Sequence, residues 1–222
     1  MHKVIEVGLE KTIYQPVFKP IAKLLLAHGA GAGNKHEFMH QYASLMVDKG
    51  VEVHSINFPY MQLVYELEKK RPPNSNKILT EYFCQLIEQQ EQDLPLFLAG
   101  KSMGGRIATQ VAADKQLNNQ IKGVIALGYP FIPPGKPEKL QQRMAHFEAI
   151  NVNTLILQGE RDPFGNVDLL NQLHLPLSFT LEWITSGEHS FKPLRSSGVS
   201  FEHNMNHAVE LSHQFINLQL GL

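Results

Sequence analysis

Short apolar runs alternate along this chain with segments whose apolar residues recur every three or four positions. The apolar runs predict six strands, and their nearly continuous apolar character is typical of strands covered on both faces. They occupy residues 23–28, 51–57, 96–99, 121–127, 154–158 and 179–184. Two earlier extended segments, residues 4–7 and 12–17, predict a hairpin. The pattern therefore predicts an α/β fold with a mostly parallel, twisted sheet.

The segments between the strands predict helices on both faces of that sheet. They fall at residues 34–50, 78–87, 102–113, 167–173 and 203–218. Asn34 is expected to cap the first helix, and Gly50 is expected to end it. Because parallel sheets bind ligands at the carboxyl ends of their strands, we expect the chemistry in the loops that follow the strands.

The length and composition of the chain favour a single domain. The chain has 222 residues, 43% of them hydrophobic, which is enough for one sizeable core, so we predict a single domain over residues 1–222. Residues 129–150 form a possible short lid-like insertion that is too short for a large cap domain. We therefore expect minimal or no cap and a fairly open pocket for a small substrate.

Charge and cysteine content argue against several classes of partner. The formal net charge is -1, so no broad positive field attracts nucleic acid or anionic lipid, and we expect neither partner. Cys84 is the single cysteine and is expected to be a structural thiol in a reducing compartment. The first residues lack the apolar stretch of a signal peptide, so we expect a cytoplasmic protein. The pattern carries no signal for oligomeric state.

A glycine-flanked serine follows the predicted strand at residues 96–99. The run Gly100-Lys101-Ser102-Met103-Gly104-Gly105 matches G-x-S-x-G, and an Ala-rich helical segment comes next. Such a serine sits on a tight strand-to-helix turn, where larger neighbours would collide, and its Oγ is held out at the sheet edge. The helix start behind it presents unpaired N–H groups to developing negative charge. Ser102 is therefore the predicted nucleophile.

With these motifs the chain resembles the α/β-hydrolase fold superfamily. It resembles more narrowly the small predicted hydrolases related to dienelactone hydrolases and to the testis-expressed hydrolase-like proteins, and the resemblance covers nearly the whole length. The residues that carry it are 26–33, 58–60, 100–105, 158–163 and 187–191.

The resemblance implies a catalytic triad in the chain order serine, acid, histidine. Asp162 follows the strand at 154–158, and His189 follows the strand at 179–184, so both expected positions are filled. The imidazole would remove the Oγ proton, and the carboxylate would hold its tautomer. Asp168 is the alternative acid, although it lies inside a predicted helix.

The resemblance also implies an oxyanion hole, with one N–H from Met103 and a second from the loop after His28. Ala30 is the expected second donor, with Gly31 as the alternative. Together these residues predict a serine hydrolase that cleaves a carboxylic ester or thioester of a small molecule through an acyl-enzyme, with no cofactor and no metal. Aromatic residues after two strand ends are the expected pocket wall: Phe58, Tyr60, Tyr129 and Phe131.

Other interpretations compete with this one. His36-Glu37-Phe38-Met39-His40 matches the H-E-x-x-H zinc motif of metalloproteases, but no third-ligand pattern follows it. The Gly-rich run at residues 29–33 suggests nucleotide binding. However, Asn34 stands where the dinucleotide-binding motif G-x-G-x-x-G has its last glycine and where a P-loop has the glycine before its lysine. A catalytically silent binding or scaffold module with the same fold is the third alternative, because fold alone does not establish turnover.

Overall fold

The computed structural model describes residues 2–117 and 119–222, and in these two ranges eight strands form one sheet. The order across the sheet is β1-β2-β4-β3-β5-β6-β7-β8. The strands are β1 (His2–Val7), β2 (Lys11–Pro16), β3 (Ala22–Ala27), β4 (Val51–Ile56), β5 (Leu96–Lys101), β6 (Ile121–Leu127), β7 (Thr154–Gly159) and β8 (Phe179–Ile184). β1 and β2 form the predicted antiparallel hairpin, and β2 joins β4 antiparallel. The strands from β4 to β8 across the sheet pair in parallel.

Helices cover both faces of this sheet. Within the described ranges, the α-helices are α1 (Glu37–Asp48), α2 (Pro59–Leu67), α3 (Asn76–Glu88), α4 (Met103–Ala112), α5 (Leu140–Met144), α6 (Val167–Leu170) and α7 (Phe201–Leu220). None of them is long and apolar enough to cross a membrane. The predicted α/β class, with a mostly parallel sheet between two layers of helices, is confirmed.

The continuous apolar runs are explained by the two cores that the sheet separates. In β3, Leu25 and Ala27 face one core, while Leu24 and Leu26 face the other. Since successive side chains of a strand point to opposite faces, a strand between two helical layers has no solvent-facing position that favours a polar residue. All six residues of β3 are accordingly buried, including Lys23, whose Nζ reaches Asp93 at 3.1 Å.

The prediction for the start of α1 is wrong. Asn34 does not cap this helix, which begins at Glu37 with His36 as its N-cap. The Asn34 amide is instead buried, where it donates to Thr12 Oγ1 at 3.1 Å and accepts from Asn57 Nδ2 at 2.7 Å. Its side chain therefore ties the loop after β3 to the neighbouring strands and is not free to cap a helix.

The segment after β4 differs from the prediction in a second way. Residues 59–67, for which the sequence predicts no helix, form α2, with Pro59 in its first turn. Proline is tolerated there because the N–H that it lacks has no partner within a helix. The helix ends at Leu67, and the capping residue Glu68 has a left-handed φ of 53°. α6 is also shorter than predicted and ends at Leu170 instead of Leu173.

Candidate active site

Ser102 occupies a sharp turn between β5 and α4, at the carboxyl edge of the sheet. Its φ of 52° and ψ of -113° form a strained combination for a residue with a side chain. Its N–H donates to Leu127 O at 2.9 Å, which fixes the turn against β6. A Cβ on Gly105 would lie 2.7 Å from the Gly100 carbonyl oxygen, so only glycine fits beside the serine. The chain packs tightly here and turns the hydroxyl outwards.

The serine, histidine and aspartate predicted from the sequence lie in one chain of contacts. Ser102 Oγ is 2.8 Å from His189 Nε2, and His189 Nδ1 is 2.8 Å from Asp162 Oδ2. A carboxylate only accepts, so Nδ1 carries the proton in this contact and Nε2 is left to accept from the hydroxyl. That tautomer is the one a general base needs.

Asp162 is completely buried in the turn that follows β7. Its Oδ2 also accepts from Gln158 Nε2 at 2.9 Å, and its Oδ1 accepts from the Phe164 N–H at 2.8 Å. Every donor around the carboxylate therefore holds it in the orientation that faces His189. Asp168, the alternative acid, is exposed in the first turn of α6.

The loop that carries His189 is anchored to the loop that carries Asp162. The Arg161 N–H donates to Gly187 O at 2.9 Å, and a Cβ on Gly159 would lie 2.5 Å from the same carbonyl. The Phe164 ring stacks on the imidazole with centroids 4.2 Å apart. These contacts hold His189 and Asp162 next to each other.

Lys101 is a residue of the site that the sequence reasoning missed. It is buried, its Nζ donates to His189 O at 2.5 Å, and the ammonium lies 5.5 Å from the centre of the Phe38 ring. Burial lowers the pKa of Lys101 to about 8, and the negative charges of Asp162 and Glu188 oppose that shift. Lys101 is the last residue of β5, and its place in the sequence, between an apolar run and the serine, gives no indication of its burial.

The loop after β3 passes beside the serine, as expected for the second oxyanion donor. A Cβ on Gly29 would lie 3.7 Å from Ser102 Cβ. His28 Nδ1 contacts Gly29 O at 2.6 Å, and Tyr60 Oη donates to Ala30 O at 2.9 Å. Because each peptide is planar and trans, fixing these two carbonyls also fixes the N–H groups of Ala30 and Gly31. Ala30, the expected second donor, and Gly31, its alternative, therefore both lie in one fixed loop.

Met103 is the first residue of α4, so its N–H has no partner within the helix. It directly follows Ser102 in the chain. The helix start also contributes positive potential at this point.

An open cleft of about 400 Å³ lies over Ser102 and His189. Its apolar wall is formed by Phe38, Met39 and Phe164. The predicted wall is wrong: its four aromatic residues, Phe58, Tyr60, Tyr129 and Phe131, are buried in the core and do not line this cleft. A residue that follows a strand end can direct its side chain back into the core, and these four residues do so.

The segment at residues 129–150 packs down on the core. Tyr129 Oη donates to Arg143 O at 2.7 Å, and Phe147 stacks on Phe179 with centroids 4.5 Å apart. The cleft is lined by other parts of the chain. A lid function for this segment stays a prediction.

The two histidines of the zinc-like motif have other contacts. His36 Nδ1 accepts from the Phe38 N–H at 3.2 Å, and His40 Nδ1 lies 3.0 Å from Tyr14 Oη. In the part of the chain that the structure describes, no three His, Cys, Asp or Glu side chains are grouped so that they could hold a metal ion. The motif therefore has two candidate ligands and lacks a third.

The family of the chain follows from comparison with known proteins. The sequence profile described as Alpha/beta hydrolase domain matches residues 20–217, and the chain belongs to this family. The predicted superfamily and fold are thereby confirmed. No curated protein sequence matches the chain significantly.

Several solved structures are similar in fold over almost the whole chain. A dienelactone hydrolase from Anabaena variabilis has a TM-score of 0.67 at 18% identity, with 96% of each chain covered. A monoacylglycerol lipase from Paleococcus ferrophilus has a TM-score of 0.66 at 15% identity, with 95% of this chain and 99% of that chain covered. Est1E from Butyrivibrio proteoclasticus has a TM-score of 0.62 at 14% identity, with 100% and 99% covered. At these identities the likeness concerns the fold.

Proposed function

We propose that this protein is a serine hydrolase that cleaves a carboxylic ester or thioester of a small molecule through an acyl-enzyme. The observation that carries the proposal is the 2.8 Å contact between Ser102 Oγ and His189 Nε2, which continues at 2.8 Å to the buried carboxylate of Asp162. A hydroxyl, an imidazole and a carboxylate in this order are the groups that acyl transfer needs.

In the first half of the reaction, Ser102 Oγ attacks the substrate carbonyl carbon while His189 Nε2 takes the hydroxyl proton. The carbonyl oxygen becomes an oxyanion that accepts from the N–H groups of Met103 and Ala30, with Gly31 as the alternative to Ala30. Each such donor contributes about 2.7–4 kcal/mol in enzymes of known mechanism. When the carbonyl re-forms, the bond to the leaving oxygen or sulfur breaks, and His189 passes its proton to that atom.

In the second half, a water molecule attacks the acyl-enzyme. His189 takes a proton from the water. When the tetrahedral intermediate collapses, the bond from the acyl carbon to Ser102 Oγ breaks, His189 returns the proton to Oγ, and the carboxylic acid leaves. Asp162 stabilises the imidazolium in both halves by accepting from Nδ1. The cleft is open and has an apolar wall of Phe38, Met39 and Phe164, which supports a substrate with a short apolar acyl or aryl group.

The test is covalent labelling by a fluorophosphonate, together with turnover of short-chain 4-nitrophenyl esters and thioesters. Ser102→Ala is expected to abolish labelling and to lower kcat by about 10⁴-fold or more. Ser190→Ala is the matched control, because Ser190 also lines the cleft but its hydroxyl has no contact with His189 among the hydrogen bonds of the described residues. It should label and turn over as the unmodified protein does.

The alternatives predict other results. A catalytically silent binding module would neither label nor turn over any probe, although circular dichroism would show it folded. A zinc peptidase would lose activity with a chelator and would keep it in Ser102→Ala. Either result would overturn the proposal.

A further inference from the structure

A second cavity adjoins the cleft on the other side of the loop after β3. Its volume is about 590 Å³, and it shares Ala30, Gly31, Ala32 and His36 with the first cleft as common lining. Ala30 and Gly31 of this loop are exposed, so a molecule held at Ser102 can extend across the loop towards the second cavity. The proposed reaction uses only the first cleft, so the second is available for a remote part of the same substrate.

The floor of the second cavity is apolar and is held by tight packing. Met61, Val64 and Tyr65 of α2 line it. A Cβ on Gly33 would lie 2.6 Å from Met61 Cγ and 2.7 Å from Asn57 Oδ1, so the loop is pressed directly against α2. The cavity is therefore part of the folded structure and does not need a loop movement to form.

The charged side chains that line this cavity are all basic. They belong to Lys35, Lys70 and Arg71, and no carboxylate of the described residues lines the cavity. Lys70 and Arg71 are exposed and form no ion pair within the described ranges, while Lys35 reaches Glu6 only at 3.9 Å. In a chain of formal net charge -1, three cations at one cavity are a local concentration of positive charge. Such a site favours an anion.

We propose that the second cavity binds the remote end of the substrate, and that this end carries a negatively charged oxyanion group, a phosphate or a carboxylate. This inference rests on the proposed function and names its substrate class: an ester or thioester with an apolar middle and an anionic end. Met61, Val64 and Tyr65 contact the apolar part, while Lys35, Lys70 and Arg71 bind the oxygens of the anion. Arginine pairs with such oxygens in a bidentate manner, and lysine acts as a point charge.

The experiment compares kcat/KM for matched anionic and neutral esters. An anion on the leaving group is tested with 4-acetoxybenzoate and 4-acetoxybenzylphosphonate against methyl 4-acetoxybenzoate. An anion on the acyl group is tested with mono-4-nitrophenyl glutarate against 4-nitrophenyl valerate. The carboxylate and phosphonate arms distinguish the two kinds of anion, and the two positions show which end of the substrate enters the cavity.

The test variant is Lys70→Met with Arg71→Met. The control is Lys115→Met with Lys122→Met, which removes the same charge from exposed positions away from the cleft. We expect the unmodified protein and the control to prefer at least one anionic ester over its neutral partner. In the test variant this preference should fall about tenfold, with kcat/KM for the neutral esters unchanged. Raising the salt concentration should also lower the preference for the anionic ester, because salt screens its attraction to the basic side chains.

The two proposals fail in different ways. Turnover of neutral esters without a preference for an anionic ester, or with a preference that Lys70→Met and Arg71→Met leave intact, overturns this inference alone. An equal loss in the Lys115 and Lys122 control also overturns it, because the effect would then come from total charge. Absence of turnover and of Ser102 labelling overturns the proposed function, and the inference with it.

Discussion

Replacing Asp162 by asparagine tests the proposed triad without changing the size of the side chain. Both carboxylate oxygens accept from N–H donors: Oδ2 from His189 and Gln158, and Oδ1 from Phe164. The amide nitrogen of asparagine must therefore face at least one of these donors, whichever way the side chain is turned. A donor left unpaired in this fully buried position costs about 1–3 kcal/mol of the free energy of unfolding.

The effect on catalysis should be larger than the effect on stability. If the new amide nitrogen faces His189, the imidazole must place its proton on Nε2, where it can no longer accept the Ser102 proton. If it faces Phe164, the tautomer survives but the negative charge that stabilises imidazolium is gone. In triads on other folds this replacement lowers kcat by about 10⁴-fold, which corresponds to about 5.5 kcal/mol of transition-state stabilisation. We expect a loss of this size here.

The assay is kcat on a 4-nitrophenyl ester, with urea unfolding followed by circular dichroism. Asp168→Asn is the matched control, because Asp168 is exposed in α6 and was the alternative acid from the sequence. It should change kcat by less than about twofold. A folded Asp162→Asn protein that keeps more than a tenth of its kcat would refute the reasoning. A loss in Asp168→Asn equal to that in Asp162→Asn would also refute it.

Three further predictions concern residues near the serine, namely Gly104, His28 and Lys101. Gly104→Ala should cost more than about 3 kcal/mol of unfolding free energy, because the new Cβ overlaps the backbone of β3. Gly31→Ala is the control and should cost less than about 0.5 kcal/mol, because its Cβ meets open space. Thermal unfolding measures both losses, and equal losses would contradict the packing argument. Burial lowers the pKa of His28 from 6.5 to about 4, so its neutral form is favoured in the folded state, and this group should contribute about 3 kcal/mol to the fall in stability as the pH drops from 6.5 to 4. Urea unfolding across this range should show a smaller fall in His28→Asn, and an equal fall would refute this role. Burial lowers the pKa of Lys101 to about 8, so its neutral form is favoured in the folded state, and this group should add about 3 kcal/mol of stability as the pH rises from 8 to 10.5. Urea unfolding should show a smaller rise in Lys101→Met, and an equal rise would contradict this assignment.

The convergence of Ser102, Asp162 and His189 could be predicted because it depends on topology. Each follows a strand of a mostly parallel sheet, and parallel strands end at the same edge. The glycines at 100 and 104 added a local constraint that is visible in the sequence. Strand direction accounts for their common edge, while the choice of these three residues came from the family resemblance, and their catalytic roles stay a proposal.

The walls of the cleft could not be predicted in the same way. Phe58 and Tyr129 follow strand ends just as the site residues do, yet both turn into the core. Which way a side chain turns depends on what packs beneath it. Here two aromatic rings of α3 pack against Phe58, and aromatic residues of the 129–150 segment pack against Tyr129. The burial of Lys101 and its contact with His189 could not be predicted for the same reason, because a lysine between an apolar run and a serine indicates neither burial nor a partner.

The left-handed backbone at Ser102 has a consequence for how this chain responds to selection. A side chain in such a conformation costs of order 1–3 kcal/mol, and glycine there would avoid most of it. Variants enriched only for heat resistance should therefore accumulate glycine at position 102, and every one of them would lack the hydroxyl. Directed evolution of this scaffold must retain a screen for turnover in each round, because thermal survival alone rewards loss of the proposed nucleophile.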